Sequence, residues 1–143
     1  MYCSIDDIRK NIPDISLIEL TDDNGTGQIE NTIVSEAIAY ADSTIDGYLR
    51  GRYSLPLNPV PKIIQKISID IAIYHIYSRR FELEMPEGMQ KRYENAVKLL
   101  EAIRKGTIEL GITTQTGQTG TGYYITNKVE EDRIFNKNFL DKL

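Results

Sequence analysis

The sequence is poor in the residues that most often carry chemistry. Its 143 residues include one cysteine, one histidine and no tryptophan. The lone Cys3 permits no internal disulfide and is typical of proteins from a reducing compartment. No metal-ligand cluster, Walker loop, dinucleotide fingerprint or nucleophile elbow is present in the sequence. We therefore expect no cofactor, no bound metal and no enzymatic activity.

Long apolar runs and positive charge are also scarce. No uncharged apolar stretch reaches the length of about eighteen residues that marks a membrane-spanning helix. The first residues lack the basic and then apolar pattern of a secretion signal. A net charge of −4 and a pI near 5.1 argue against extensive phosphate contacts. We expect no membrane association and no sequence-specific binding of nucleic acid.

What the chain does contain is an unusually apolar segment, residues 61–81. Apolar residues recur there at helical spacing in two adjacent stripes: Ile63, Ile64, Ile67, Ile71 and Tyr74, and then Ile69, Ile73 and Ile76. Residues 68–73 also alternate as a strand would, but the helical spacing continues on both sides, beyond the usual length of a strand. The pattern predicts a buried central helix.

The remaining apolar periodicity predicts an all-α fold, a small helical bundle with an extended C-terminal arm. Two short N-terminal helices are predicted, with Ser4 capping the first, Pro13 ending it, and Ile15, Leu17, Ile18 and Leu20 buried in the second. Three longer helices follow: one from Asn31 or Thr32 to about Gly51, the central helix, and one from Pro86 to Gly106. The helical domain is assigned to residues 1–111, and the linker and arm to residues 112–143.

The loop between the second and third helices resembles a calcium-binding loop in part. Its oxygen-bearing residues, one glycine and one apolar residue fall on EF-hand positions: Asp22, Asn24, Thr26, Gly27 and Ile29. The position that requires a bidentate glutamate is Ile33, however, so the favoured interpretation is a turn whose side chains hold their own backbone.

Two polar residues of the central helix need an explanation. Asp70 would be costly to bury without a partner, so we expect an ion pair with Arg52 that is shared with Asp46. His75 lies among apolar residues and is interpreted as a packed core or helix-edge residue rather than a catalyst.

The C-terminal region changes character at Thr113. Residues 113–122 contain only threonine, glutamine and glycine and predict a flexible linker. The arm beyond them has too few apolar residues for a core of its own. We expect these residues to dock on another surface, with a neighbouring subunit favoured: Tyr123, Tyr124, Ile125, Ile134, Phe135, Phe139 and Leu140.

Several segments together resemble a family of Mu-like phage and prophage proteins that has long been classed as a domain of unknown function. The most specific segment is residues 48–57, with Tyr48-Leu49, Arg52-Tyr53 and Leu55-Pro56-Leu57. The opening Ser4-Ile5-Asp6-Asp7, the segment around Asp70 and residues 92–97 continue the resemblance. The Thr/Gln/Gly linker and the acidic residues 130–132 depart from it.

The resemblance implies a structural virion protein, similar to the head–tail connector proteins of tailed phages. It would form a ring or another homo-oligomer and would contact the portal, head-completion or tail proteins. Its expected location is the virion, and the bacterial cytoplasm during assembly. The alternatives are a host protein–protein interaction domain whose arm orders on a partner, and a calcium-dependent structural module.

Overall fold

The computed structural model describes residues 1–114, which form five α-helices. They are α1 (Ile5–Arg9), α2 (Asp14–Thr21), α3 (Asn31–Leu49), α4 (Lys62–Ser78) and α5 (Glu87–Lys105). No strand occurs within this range, so the all-α prediction is confirmed for it. The predicted linker beyond Thr114, and the whole of the predicted arm, lie outside the described residues.

Helix α4 is the centre of the bundle. It packs mainly against α3 and α5, and the short helices α1 and α2 also contact it. Pro61 precedes its first turn, where the missing N–H leaves no hydrogen bond unmade. The prediction of a buried central helix is confirmed, since more than half of its residues are buried: Ile64, Ile67, Ser68, Ile69, Asp70, Ile71, Ala72, Ile73 and Ile76.

Helix α3 turns one face towards α4 and leaves the other accessible. The buried residues recur at helical spacing: Val34, Ala37, Ile38, Ala41, Ile45 and Leu49. Tyr40, on the opposite face, is 47% exposed. Glu30 caps the helix by accepting a hydrogen bond from the Thr32 N–H at 3.2 Å, so the cap lies just before the two predicted candidates, Asn31 and Thr32. This orientation brings the tyrosines of α3 to the surface.

The short N-terminal helices combine a confirmed prediction with a wrong one. Ser4 and Asp7 form the predicted capping box, with the Asp7 N–H donating to Ser4 Oγ at 3.2 Å. In α2, Leu17 and Leu20 are buried as predicted, but Ile15 is 81% exposed. Helix α2 has eight residues and packs through a single stripe. Because residues two positions apart on a helix point to nearly opposite sides, Ile15 faces away from the core when Leu17 faces it.

The connector after α3 and the end of α5 meet near the end of the described chain. Leu57 of the connector is buried and Leu55 is partly buried, as predicted. Gly106 ends α5 in the left-handed conformation (φ 82°), also as predicted. Tyr53 forms an isolated antiparallel bridge with Thr114, which ties the end of the described chain to the connector.

Candidate interaction surface

Asp70 has cationic partners, but Arg52 is not one of them. Its carboxylate accepts hydrogen bonds from Lys66 Nζ at 2.6 and 2.7 Å and from Arg92 Nε at 2.8 Å. The Arg92 Nη2 atom lies 2.6 Å from Asp70 Oδ1, and the Asp70 side chain is only 9% exposed. The predicted Asp70–Arg52 pair is therefore wrong, because Asp70 faces α5 and not the corner after α3.

Arg92 joins three parts of the bundle through this contact. Besides pairing with Asp70 of α4, it donates from Nη2 to Asn11 Oδ1 at 3.0 Å. Asn11 in turn donates from Nδ2 to the Asp7 carbonyl oxygen at 2.9 Å. The network holds α5, α4 and the α1–α2 corner together, which is a structural role.

The other two members of the predicted pair have separate partners. Arg52 lies 3.8 Å from Glu109 and stacks over the ring of Tyr53, near the end of α5. Asp46 accepts a hydrogen bond from the Tyr2 hydroxyl, which itself accepts from the Leu57 N–H at 3.3 Å. Burial, reinforced by the Asp46 hydrogen bond, raises the pKa of Tyr2 to about 12. The prediction that Asp46 shares the ion pair of Asp70 is therefore also wrong. Asp46 instead contacts Tyr2 within the packing of the bundle.

The Asp22 loop is held by its own backbone. The Asp22 carboxylate accepts from the N–H groups of Asn24 at 3.3 Å, Thr26 at 2.9 Å and Gly27 at 2.6 Å. Hydrogen bonds from the Thr26 and Gly27 N–H groups hold the pKa of Asp22 below its usual value. The interpretation of this loop as a turn is confirmed. Within residues 1–114, no group of three or more His, Cys, Asp or Glu residues is placed to hold a metal ion.

The most distinctive accessible feature is an aromatic surface across α3, α4 and α5, here called the tyrosine surface. Tyr40 stacks on His75 with ring centroids 4.2 Å apart, and Tyr74 stacks on Tyr93 at 3.9 Å. The Arg104 guanidinium of α5 lies 5.7 Å from the ring centroid of Tyr48 in α3. The surface consists of Tyr40, Tyr48, Tyr74, His75, Tyr93 and Arg104.

The charge properties of the tyrosine surface follow from its partial burial. Burial raises the pKa of Tyr93, and the neighbouring phenols of Tyr40, Tyr74 and Tyr48 raise it further. Burial and the nearby Arg79 lower the pKa of His75, so its imidazole is neutral near pH 7. The surface is thus aromatic and neutral at its centre. His75 lies at the helix edge, one of the two placements that its sequence context indicated.

Two hollows flank the tyrosine surface. One, of about 270 Å³, lies between α3 and α5 and is lined by Ser43, Thr44, Gly47, Tyr48 and Arg104. The other, of about 310 Å³, follows α5 and is lined by Tyr93, Glu94, Val97, Lys98 and Glu101. Tyrosine and arginine are enriched in protein–protein interfaces, where they fill such hollows with large side chains. The arrangement is suited to binding another protein.

Helical periodicity alone includes these tyrosines in the apolar stripes of the three longer helices and so predicts that they are buried. Tyr40 and Tyr48 fall in a stripe of the third helix, Tyr74 in one of the fourth and Tyr93 in one of the fifth. Their recurrence on the matching faces of three consecutive helices was the available signal, because an aromatic ring with a polar tip packs well at a half-buried edge. The predicted docking residues of the arm, residues 123–140, lie outside the described residues.

Within residues 1–114, no helix combines the length and the apolar character that are needed to cross a bilayer.

The amino-acid sequence is similar to those of phage proteins. Residues 2–126 match the family model described as Bacteriophage Mu, Gp36. The chain is 34% identical to the Mu-like prophage FluMu protein gp36 of Haemophilus influenzae over 85 residues, which cover 59% of this chain and 57% of that protein. It is 26% identical to Gene product J of Escherichia phage Mu over 111 residues, or 78% and 76% of the two chains. The match thus spans little more than half of the Haemophilus relative.

Proposed function

Because the chain belongs to the bacteriophage Mu Gp36 family, we propose that it is a structural subunit that joins the head of a phage particle to its tail. The family assignment confirms the resemblance to Mu-like phage proteins that the sequence suggested. The proposal includes a location in the virion and assembly in the bacterial cytoplasm.

The observation that supports this role is the tyrosine surface on a compact helical body. Tyr40 is an exposed aromatic residue of this surface, and the hollow lined by Tyr48 and Arg104 offers space that a partner could fill. Residues of this kind contribute most of the binding energy in many protein interfaces. The proposed partners are further copies of the chain, portal or head-completion proteins, and tail proteins. A head-to-tail contact between copies closes into a ring when the rotation per subunit permits it.

We also propose that the chain acts by binding and not by catalysis. The two groups that titrate or react most readily have packing roles: His75 stacks on Tyr40, and Cys3 is buried with its Sγ 3.2 Å from Ser68 Oγ. The buried carboxylate of Asp70 is occupied by Lys66 and Arg92. These side chains therefore act in the fold and in contacts.

Electron microscopy of lysates tests the proposal. A phage that carries this gene is induced with and without a deletion of the gene. The proposal predicts separate DNA-filled heads and free tails in the deletion lysate. Normal virions without the gene product would contradict the connector role and would favour a host interaction domain instead.

Complementation with surface variants links the role to the tyrosine surface. Tyr40→Ala removes an exposed aromatic ring from this surface, and Ile15→Ala removes an exposed apolar side chain from α2. We expect Tyr40→Ala to lower the titre of infectious particles and Ile15→Ala to restore it, with both proteins equally folded by circular dichroism. Equal titres for the two variants would exclude this surface as the essential contact.

A further inference from the structure

The hollow along α5, here called the α5 groove, has no occupant among the residues described. Tyr93 and Val97 supply its apolar part, and Glu94, Lys98 and Glu101 supply its polar rim. Its volume of about 310 Å³ is at the lower end of the range for pockets that bind small ligands, and it is large enough for an aromatic side chain. The combination favours a short aromatic or aliphatic segment flanked by polar residues.

The chain itself contains such a segment, which follows α5 in the sequence after the Thr/Gln/Gly stretch. Tyr123, Tyr124 and Ile125 are consecutive apolar residues between a Thr/Gln/Gly stretch and Thr126-Asn127-Lys128. The family match ends at residue 126, so this segment belongs to the part of the chain shared with the family. The later apolar residues of the arm lie beyond that match.

The end of the described chain is placed so that this segment can reach the groove. Thr114 is bridged to Tyr53, and the neighbouring Arg52 lies against Gly106 at the end of α5. The middle of the groove, at Val97, is about 14 Å back along α5 from Gly106, at about 1.5 Å per residue. Tyr123 follows Thr114 by nine residues, which span up to about 30 Å when extended.

We propose that the segment Tyr123–Ile125 binds in the α5 groove of its own chain, with an aromatic ring beside Tyr93 and Val97. Lys128 then follows within reach of Glu94 and Glu101, the two carboxylates of the polar rim. A short tether gives the segment an effective concentration in the millimolar range, which exceeds that of a second chain in dilute solution. The inference goes beyond the proposed function, and it assigns the first part of the arm to its own helical body and not to a neighbouring subunit.

The absence of tryptophan makes a direct optical test possible. In full-length Tyr124→Trp the indole is the only one in the molecule, and we expect its emission at shorter wavelength than that of free N-acetyltryptophanamide, with weaker quenching by acrylamide. Adding Val97→Glu, which places a charge in the groove, should move both properties to those of an exposed indole. Adding Ile15→Glu, an exposed position on α2, should change neither. An exposed indole in the Tyr124→Trp protein itself would overturn the proposal.

Disulfide formation identifies which chain supplies the segment. The double variant Val97→Cys with Tyr124→Cys should form an intramolecular disulfide at low protein concentration, while Cys3 stays reduced because it is buried. The matched pair Ile15→Cys with Tyr124→Cys should not form one. Disulfide-linked dimers from a mixture of the two single variants, without the intramolecular product in the double variant, would overturn the own-chain assignment. Because these measurements use the purified protein, their outcome does not depend on whether the chain joins heads to tails.

Discussion

Replacement of Arg92 by methionine should lower the free energy of unfolding by about 2–3 kcal/mol. Methionine keeps much of the volume and the helix propensity of arginine but removes the guanidinium. The change leaves the Asp70 carboxylate, which is 9% exposed, with Lys66 as its remaining cationic partner. It also removes the hydrogen bond from Arg92 to Asn11.

The magnitude follows from the number and the environment of the lost contacts. A hydrogen bond to a charged group contributes about 1.5–3 kcal/mol, and loss of one member of a fully buried ion pair costs about 3–5 kcal/mol. Arg92 is 30% exposed and Lys66 remains in place, so the expected cost lies below that of a fully buried pair and within the range for a charged hydrogen bond, at about 2–3 kcal/mol. By contrast, Arg52 faces Glu109 at 3.8 Å, and the Glu109 side chain is 79% exposed. Arg52→Met should therefore cost less than about 1 kcal/mol.

Urea unfolding followed by far-ultraviolet circular dichroism measures both variants. The expected result is a lower midpoint for Arg92→Met with an unchanged slope, since the surface exposed on unfolding stays the same. A double-mutant cycle with Asp70→Asn should give a coupling energy of at least about 1 kcal/mol. A loss below about 0.5 kcal/mol for Arg92→Met, or a larger loss for Arg52→Met, would refute this account of Asp70.

Three further predictions concern the helix ends and the N-terminal residues. Gly106→Ala should destabilise the protein by about 1–2 kcal/mol, because alanine disfavours a φ of 82° and its Cβ would meet the Arg52 guanidinium. Gly47 lies inside α3 with open space around it, so Gly47→Ala should instead stabilise the protein by about 0.5–1 kcal/mol in the same urea assay. Tyr2 has a pKa raised from 10.0 to about 12, so the stability that its neutral form provides is complete below pH 10 and is lost as the pH rises towards 12. Urea unfolding at several pH values should therefore show a smaller alkaline loss for Tyr2→Phe, and equal losses would contradict the burial argument. Ser4→Ala should cost about 1 kcal/mol by removal of the capping box, and an unchanged thermal midpoint would count against that cap.

The helices themselves could be predicted because their signals are local. Pro61, Pro86 and Gly106 mark helix ends through backbone constraints that no tertiary contact needs to supply. The apolar density of residues 61–81 identified the central helix for the same reason, since an element without a polar face has to be buried. Ile15 was misplaced because α2 is too short for periodicity to fix which side faces the core.

The partners of polar residues could not be predicted because they depend on how the helices rotate against one another. Asp70 was recognised as a residue that needs a cation, but Arg52 and Arg92 are both separated from it in sequence by about the same distance. Only the packing of α5 against α4 brings Arg92 to it. The tyrosine surface was missed for a related reason, because a half-buried aromatic stripe and a fully buried one have the same spacing in sequence.

The most direct measurement of the proposed role is reconstitution in vitro. A lysate of the deletion phage, with its filled heads and free tails, is mixed with the purified wild-type protein, and infectious particles are counted as plaques. The connector role predicts that the protein restores infectivity and that electron micrographs then contain joined particles. Heads and tails that stay separate and non-infectious after addition of the folded protein, or that join equally well without it, would contradict that role.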